Sequence, residues 1–152
     1  MATSQGQSDD RIKRTTDVDS LPGIGEAQQA AHVPQSVLEL ILPYPPSTNH
    51  YWRRVGTKTL ISREGRGFRR LVCAILAARG IQPREGLLDV VIHLYPPDRR
   101  RRDVDNAQKA LLDALAHGGA YHDDSQIMHL EAWKREPSSG GKTMVKISAY
   151  GD

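Results

Sequence analysis

Cysteine is almost missing from this chain, and the single one present, Cys73, excludes an internal disulfide. One thiol fits a reducing compartment, and with a single cysteine beside six histidines a structural zinc site is not expected. Long apolar runs are missing too. The longest, near residues 37–42 and 71–78, are broken by charge or fall far short of the roughly 20 residues of a membrane helix. No apolar stretch follows a basic start at the N-terminus, so neither a secretory signal nor a membrane partner is expected. No internal repeat occurs.

What remains is a charged chain of 152 residues, 38% hydrophobic, long enough for one domain with a real core. Its formal net charge of +3 is unevenly spread. Residues 1–34 hold three basic and five acidic side chains and are rich in Ser, Thr, Gln, Asp, Ala and Gly. A segment of that composition buries too little surface to offset its ordering entropy, so a disordered tail is expected over 1–34 and the folded domain over 35–152. The domain then carries a net charge of +5, which favours a polyanionic partner.

Within the domain the apolar pattern alternates between periods. Residues 37–42 place Leu38, Leu40 and Leu42 on one face and predict a strand stopped by Pro43, Pro45 and Pro46. A loop is expected over 47–54 and a short strand over 58–61. Ser62 is placed to cap a helix reaching about Arg79, with Phe68, Leu71, Val72, Ile75 and Leu76 on its buried stripe and Gly80 at its stop. Residues 87–95 alternate clearly and end at Pro96-Pro97. A second helix is expected over about 105–117, closed by Gly118-Gly119. Residues 127–135 and 143–150 predict two strands joined as a hairpin through Ser138-Ser139-Gly140-Gly141. The order of elements gives an α+β fold, a small mixed β-sheet with two main helices packed on one face.

The most telling segment runs from Asp98 through Arg99, Arg100, Arg101 and Arg102 to Asp103, Asp105 and Lys109. Arginines attract phosphate, whereas carboxylates repel it unless a divalent cation stands between them. Asp103 and Asp105 lie where a strand exit turns into a helix start. With Asp103 still extended and Asp105 at or near the N-cap, both carboxylates can converge, and the free N–H groups of the first turn favour negative charge there. Lys109 follows Asp105 by one helical turn. Two readings stand for this Asp-x-Asp, ordinary helix caps or a metal site. A second acidic pair, Asp123-Asp124, precedes the next strand, and good turn chemistry explains it equally well. Tyr51, Trp52, Arg53 and Arg54 mix aromatics with charge, a combination that suits stacking on an unpaired base, while Trp52 serves as well as a loop anchor packed on the core. His117, His122 and His129 are irregularly spaced near the acids and read as helix-end or surface residues.

The stretch Pro96-Pro97-Asp98, the arginines, Asp103-Val104-Asp105-Asn106, Lys109, Asp113, then Asp123-Asp124 and Gln126-Ile127, strongly resembles the RusA family of Holliday-junction resolvases. The upstream Pro45-Pro46-Ser47-x-Asn49-x-x-Trp52-Arg53 segment and the Gly140-Gly141 turn match as well, so the resemblance covers roughly residues 37–150. It implies a dimeric, magnesium-dependent endonuclease that nicks two strands of a four-way DNA junction symmetrically in recombination and repair; by charge alone, manganese would relieve the repulsion among the carboxylates as well. By the same resemblance Asp103, Asp105 and Asp124 are metal-binding and catalytic, Lys109 is the essential lysine, and Asp123 has a supporting place. From the residues themselves, Arg99, Arg100, Arg101, Arg102, Trp52 and Arg53 are the expected DNA contacts, with at least two of the four arginines on phosphate and a solvated charge run as the alternative. The setting implied is the cytoplasm of a bacterium, with a bacterial or phage gene. A junction-binding protein that does not cut, and a nuclease preferring flaps or forks, are the rival readings.

Overall fold

The computed structural model describes residues 36–151, so the expected tail over 1–34 lies outside the described residues. Strand β1 (Leu38–Leu42) buries Leu38, Leu40 and Leu42 and exposes the residues between them. Strand β4 (Leu88–Tyr95) buries Leu88, Val90, Ile92 and Leu94, and β6 (Lys142–Ala149) buries Thr143, Val145 and Ile147 on the same side. The elements between β1 and β4 are α1 (Thr48–Tyr51), β2 (Trp52–Val55), β3 (Lys58–Ile61) and α2 (Arg63–Ala78). After β4 come α3 (Val104–His117), a 3-10 turn (Asp124–Gln126) and β5 (Ile127–Lys134).

Helices α2 and α3 pack on one face of a four-stranded sheet of order β1-β6-β4-β5. Ser62 caps α2, its Oγ accepting the Gly65 N–H at 2.9 Å, and Gly80 ends the helix at φ 61°. The apolar stripe of α2 is narrower than its sequence suggests, because Leu71 is 56% exposed while Phe68, Val72 and Leu76 are buried. From α3 the core receives Ala107, Ala110, Leu111, Ala114 and Leu115. Three alanines on that face let the helix lie close to the sheet.

Two features differ from the sequence expectations. The last two strands are not a hairpin. β6 lies between β1 and β4, antiparallel to both, and β5 runs parallel to β4 at the sheet edge. A parallel pair needs a long crossover, and α3 supplies it. The Gly140-Gly141 segment instead carries the chain from the end of β5 past the end of β4. At Gly141, φ is 69°, and a Cβ would come 2.9 Å from Tyr44 Cβ and 3.0 Å from Pro97 Cδ, so glycine is required by packing. The segment expected to be a loop, 47–54, holds α1 and β2. β2 pairs antiparallel with β3, forming an arm that turns at Gly56, whose φ is 61°.

Candidate functional site

Helix α3 is the spine of the site. Asp103 takes its N-cap position with extended backbone (φ −91°, ψ 141°), and its carboxylate makes no capping hydrogen bond. Asp105 is in the first helical turn rather than at the cap. Both are exposed at the end of the helix where unpaired N–H groups give positive potential. Lys109, also exposed, lies one turn further on.

Asp124 begins the 3-10 turn before β5. Asp123 caps that turn, accepting the Ser125 N–H at 2.8 Å, while the Gln126 side chain accepts the N–H groups of Asp123 and His122. The Ser125 hydrogen bond holds the Asp123 carboxyl below its ordinary range. Gln126 also donates to the carbonyls of Arg84 and Gly86, which ties the turn to the body of the domain. Tyr121 is fully buried, and its hydroxyl donates to the Leu112 carbonyl at 3.0 Å. Burial raises the Tyr121 pKa far above the ordinary phenol, and the nearby Asp124 carboxylate adds to the rise. Asp124 therefore stands near the Tyr121 hydroxyl, which points at the Leu112 carbonyl of α3. The three aspartates do not form one tight knot. Among the described residues no three His, Cys, Asp or Glu side chains are close enough together to hold a metal ion. Asp103 and Asp105 share one end of α3, Lys109 follows, and Asp124 flanks the helix further along.

The four arginines are not equivalent. Arg102 is only 26% exposed and forks onto Asp98, with Nη2 3.0 Å from Oδ2 and Nη1 on Oδ1. Its carbonyl accepts from Lys134 Nζ at 3.1 Å, and its guanidinium stands over the Tyr44 ring. Arg99 and Arg100 are 87% and 85% exposed, each with a carboxylate no nearer than 3.9 Å, and Arg101 is exposed as well. A groove beside them is lined by Arg100, Arg101 and Asp103 together with Tyr44, Pro46 and Phe68.

A second groove joins residues that are far apart in sequence. Lys109 from α3, Thr48 and Asn49 from α1, and Trp52, Arg53 and Arg54 from β2 line it together. Trp52 is half-buried, edge-on to the Tyr51 ring at 5.1 Å, so it is at once a core anchor and part of the groove wall. Behind this groove lies a cluster that the sequence reading missed. Asp113 Oδ2 accepts from the Tyr51 hydroxyl and from Arg69 Nη2 at 2.6 Å, and Arg69 Nε donates to the Tyr51 hydroxyl at 3.3 Å. Asp113 sits one turn beyond Lys109 and belongs to the family motif, which by itself gave it no role. The histidines go elsewhere, with His122 on Glu85 and His129 on Asp89, both at 2.8 Å.

Comparison with known proteins places this architecture. Residues 43–148 match the family model described as Endodeoxyribonuclease RusA. The crossover junction endodeoxyribonuclease of Enterobacteria phage 82 is 38% identical over 116 residues, covering 74% of this chain and 95% of the relative. That of Escherichia coli K12 is 35% identical over 121 residues, with the same coverage. The phage HK97 protein of the same name is 37% identical over 111 residues, covering 72% and 92%. The chain is a member of the RusA endodeoxyribonuclease family.

Proposed function

We propose that this chain is a divalent-metal-dependent endodeoxyribonuclease that resolves four-way DNA junctions by symmetric paired nicks, working as a homodimer in the cytoplasm of a bacterium. The relatives named above are crossover junction nucleases, and the described residues include no helix long and apolar enough to cross a membrane. One observation carries the reading. Asp103, Asp105 and Lys109 follow one another along α3 between an exposed arginine loop and a groove of Trp52 and Arg53.

Magnesium fits the donors at the start of α3. It is commonly held by one or two carboxylates and completes its shell with water and substrate phosphate, and the Asp103 carboxylate is not used in capping. Manganese fits the same oxygens. A bound ion would activate water and polarise the scissile phosphate. The chain's own residues do the rest. N–H groups of the first α3 turn and the exposed arginines hold the strand by its phosphates. Lys109 neutralises charge that builds on the phosphoryl oxygens. Trp52 offers a ring face to a base exposed at the branch point. Asp124 is kept as the third carboxylate because it matches the family motif.

The test is cleavage of a labelled four-way junction with and without Mg²⁺ or Mn²⁺. Asp103→Asn, Asp105→Asn and Asp124→Asn are each expected to abolish cutting while junction binding is kept or tightened. Lys109→Ala is expected to lower turnover more than affinity. Full cleavage by an aspartate variant removes that residue from the site. Binding without cutting under either ion would favour a non-cutting junction protein, and faster cutting of flaps or forks would move the preferred branch.

A further inference from the structure

The groove between α3 and the β2–β3 arm has walls from two separate parts of the fold, yet it is open to solvent along its length. Its geometry must be set by something behind it. α1 is only four residues long and does not hold itself in place. Two polar ties fix it to the outer side of α3. Thr48 Oγ1 donates to the Asn106 carbonyl at 2.9 Å, and the Tyr51 hydroxyl donates to Asp113. Asn106 and Asp113 lie on either side of Lys109 along α3, so the two ties bracket the lysine. Tyr51 directly precedes Trp52, so no slack separates the second tie from the arm.

We infer that Tyr51, Arg69 and Asp113 form a positioning clamp that holds Lys109 and the Trp52–Arg53 wall at a fixed separation, and so set turnover without touching the DNA. This rests on the reading of Lys109 and its groove as part of the cleavage site. Three elements converge on one carboxylate oxygen, from α1, α2 and α3. Apolar contact alone would leave α1 free to slide, whereas hydrogen bonds fix both distance and angle. The charges are matched within the cluster. Burial works against the Arg69 guanidinium, but its hydrogen bonds to Asp113 and Tyr51 outweigh that effect. Burial, together with the Asp113 hydrogen bond, pushes the Tyr51 pKa up to about 12, so the hydroxyl keeps its proton and remains the donor.

The experiment uses Tyr51→Phe, which deletes one hydroxyl and keeps the ring, and the near-isosteric Asp113→Asn, both in a Trp133→Phe background. Trp52 is then the only tryptophan. Without DNA or metal, Trp52 emission is expected to shift to the red and become more open to acrylamide in both variants. Single-turnover cutting of a four-way junction with Mg²⁺ is expected to slow by about 10- to 100-fold, the scale of a small misplacement of a reacting group. Junction Kd should change by far less than the rate, and both variants should stay folded at the assay temperature, with the unfolding midpoint lowered only by the loss of a part-buried hydrogen bond. Unchanged emission, an unchanged rate, or a rate loss matched by weaker binding or by unfolding would each overturn the clamp. If Asp113→Asn does not fold, Tyr51→Phe decides alone. Failure of the parent protein to cut any branched DNA would refute the nuclease reading, while the emission of Trp52 would still judge the clamp.

Discussion

At the scale of single residues, Arg102 is separated from Arg99 and Arg101 by its use. It is committed to Asp98 and stacks near Tyr44, whereas the other two project into solvent. The hydrogen bonds from Arg102 and from the Arg100 N–H hold the Asp98 carboxyl well below the usual carboxylate range. A carboxyl lowered in this way supports its partner above its unfolded pKa and gives up that support only as acid reaches the folded value. The loop should therefore keep its shape across the neutral range. Each phosphate contact releases counterions, so Arg99→Ala and Arg101→Ala should each reduce the slope of log Kd against log salt by about one, with the unfolding midpoint almost unchanged. Arg102→Ala should instead loosen the loop, lowering affinity at every salt concentration and making residues 98–103 more open to proteolysis. Anisotropy titrations of a metal-free junction complex in a salt series read the difference. Sequence could place four arginines beside two aspartates. It could not tell which arginine was spent inside the protein, because that depends on how the loop folds back on Asp98.

At the scale of elements, Gly65 shows how sterics overrule propensity. It lies in the first turn of α2, where alanine would ordinarily favour the helix by about 1 kcal/mol. A Cβ there would stand 2.6 Å from the Tyr51 carbonyl oxygen and 2.9 Å from Ile61 Cγ2, and the carbonyl is backbone with nowhere to go. Gly65→Ala should therefore lower stability by about 1–3 kcal/mol, the usual cost of overpacking. Gly67→Ala, with nothing within 4 Å of its Cβ, should raise stability by up to about 1 kcal/mol. Urea midpoints for the pair settle the sign at each position. Alternation in β1, β4 and β6 and the stripe on α3 gave the strands and helices, because each buries one face. Alternation does not name a neighbour. The Gly-Gly turn between β5 and β6 therefore looks like a hairpin, although β6 pairs with β1 and β4. Half of the arm was legible, since β3 is the short strand expected over 58–61, but β2 is mostly exposed and lacks a period-two apolar pattern, with only Gly56-Thr57 marking its turn. In the site, Asp103, Asp105 and Lys109 were legible as a local motif. The tie from Tyr51 to Asp113 spans 62 positions and was not.

At the scale of the whole molecule, one protomer offers one pair of aspartates at the start of α3, whereas a four-way junction presents two symmetry-related phosphates. Two copies related by a two-fold axis would address both at once. Such a dimer cuts twice during one encounter only if both protomers are competent. Co-expression of the wild-type chain with Asp105→Asn therefore gives a test that needs no interface to be known. With random pairing, the fraction of fully active dimers is the square of the wild-type fraction, about a quarter in an equal mixture. A supercoiled plasmid that extrudes a cruciform reads the outcome directly, since paired nicks across the junction release linear DNA and a single nick leaves an open circle. Linear product should fall as that square while open circles accumulate from mixed dimers. If linear product fell only in proportion to the wild-type fraction, the two cuts would be made by protomers acting alone, and the homodimer would have no part in coordinating them.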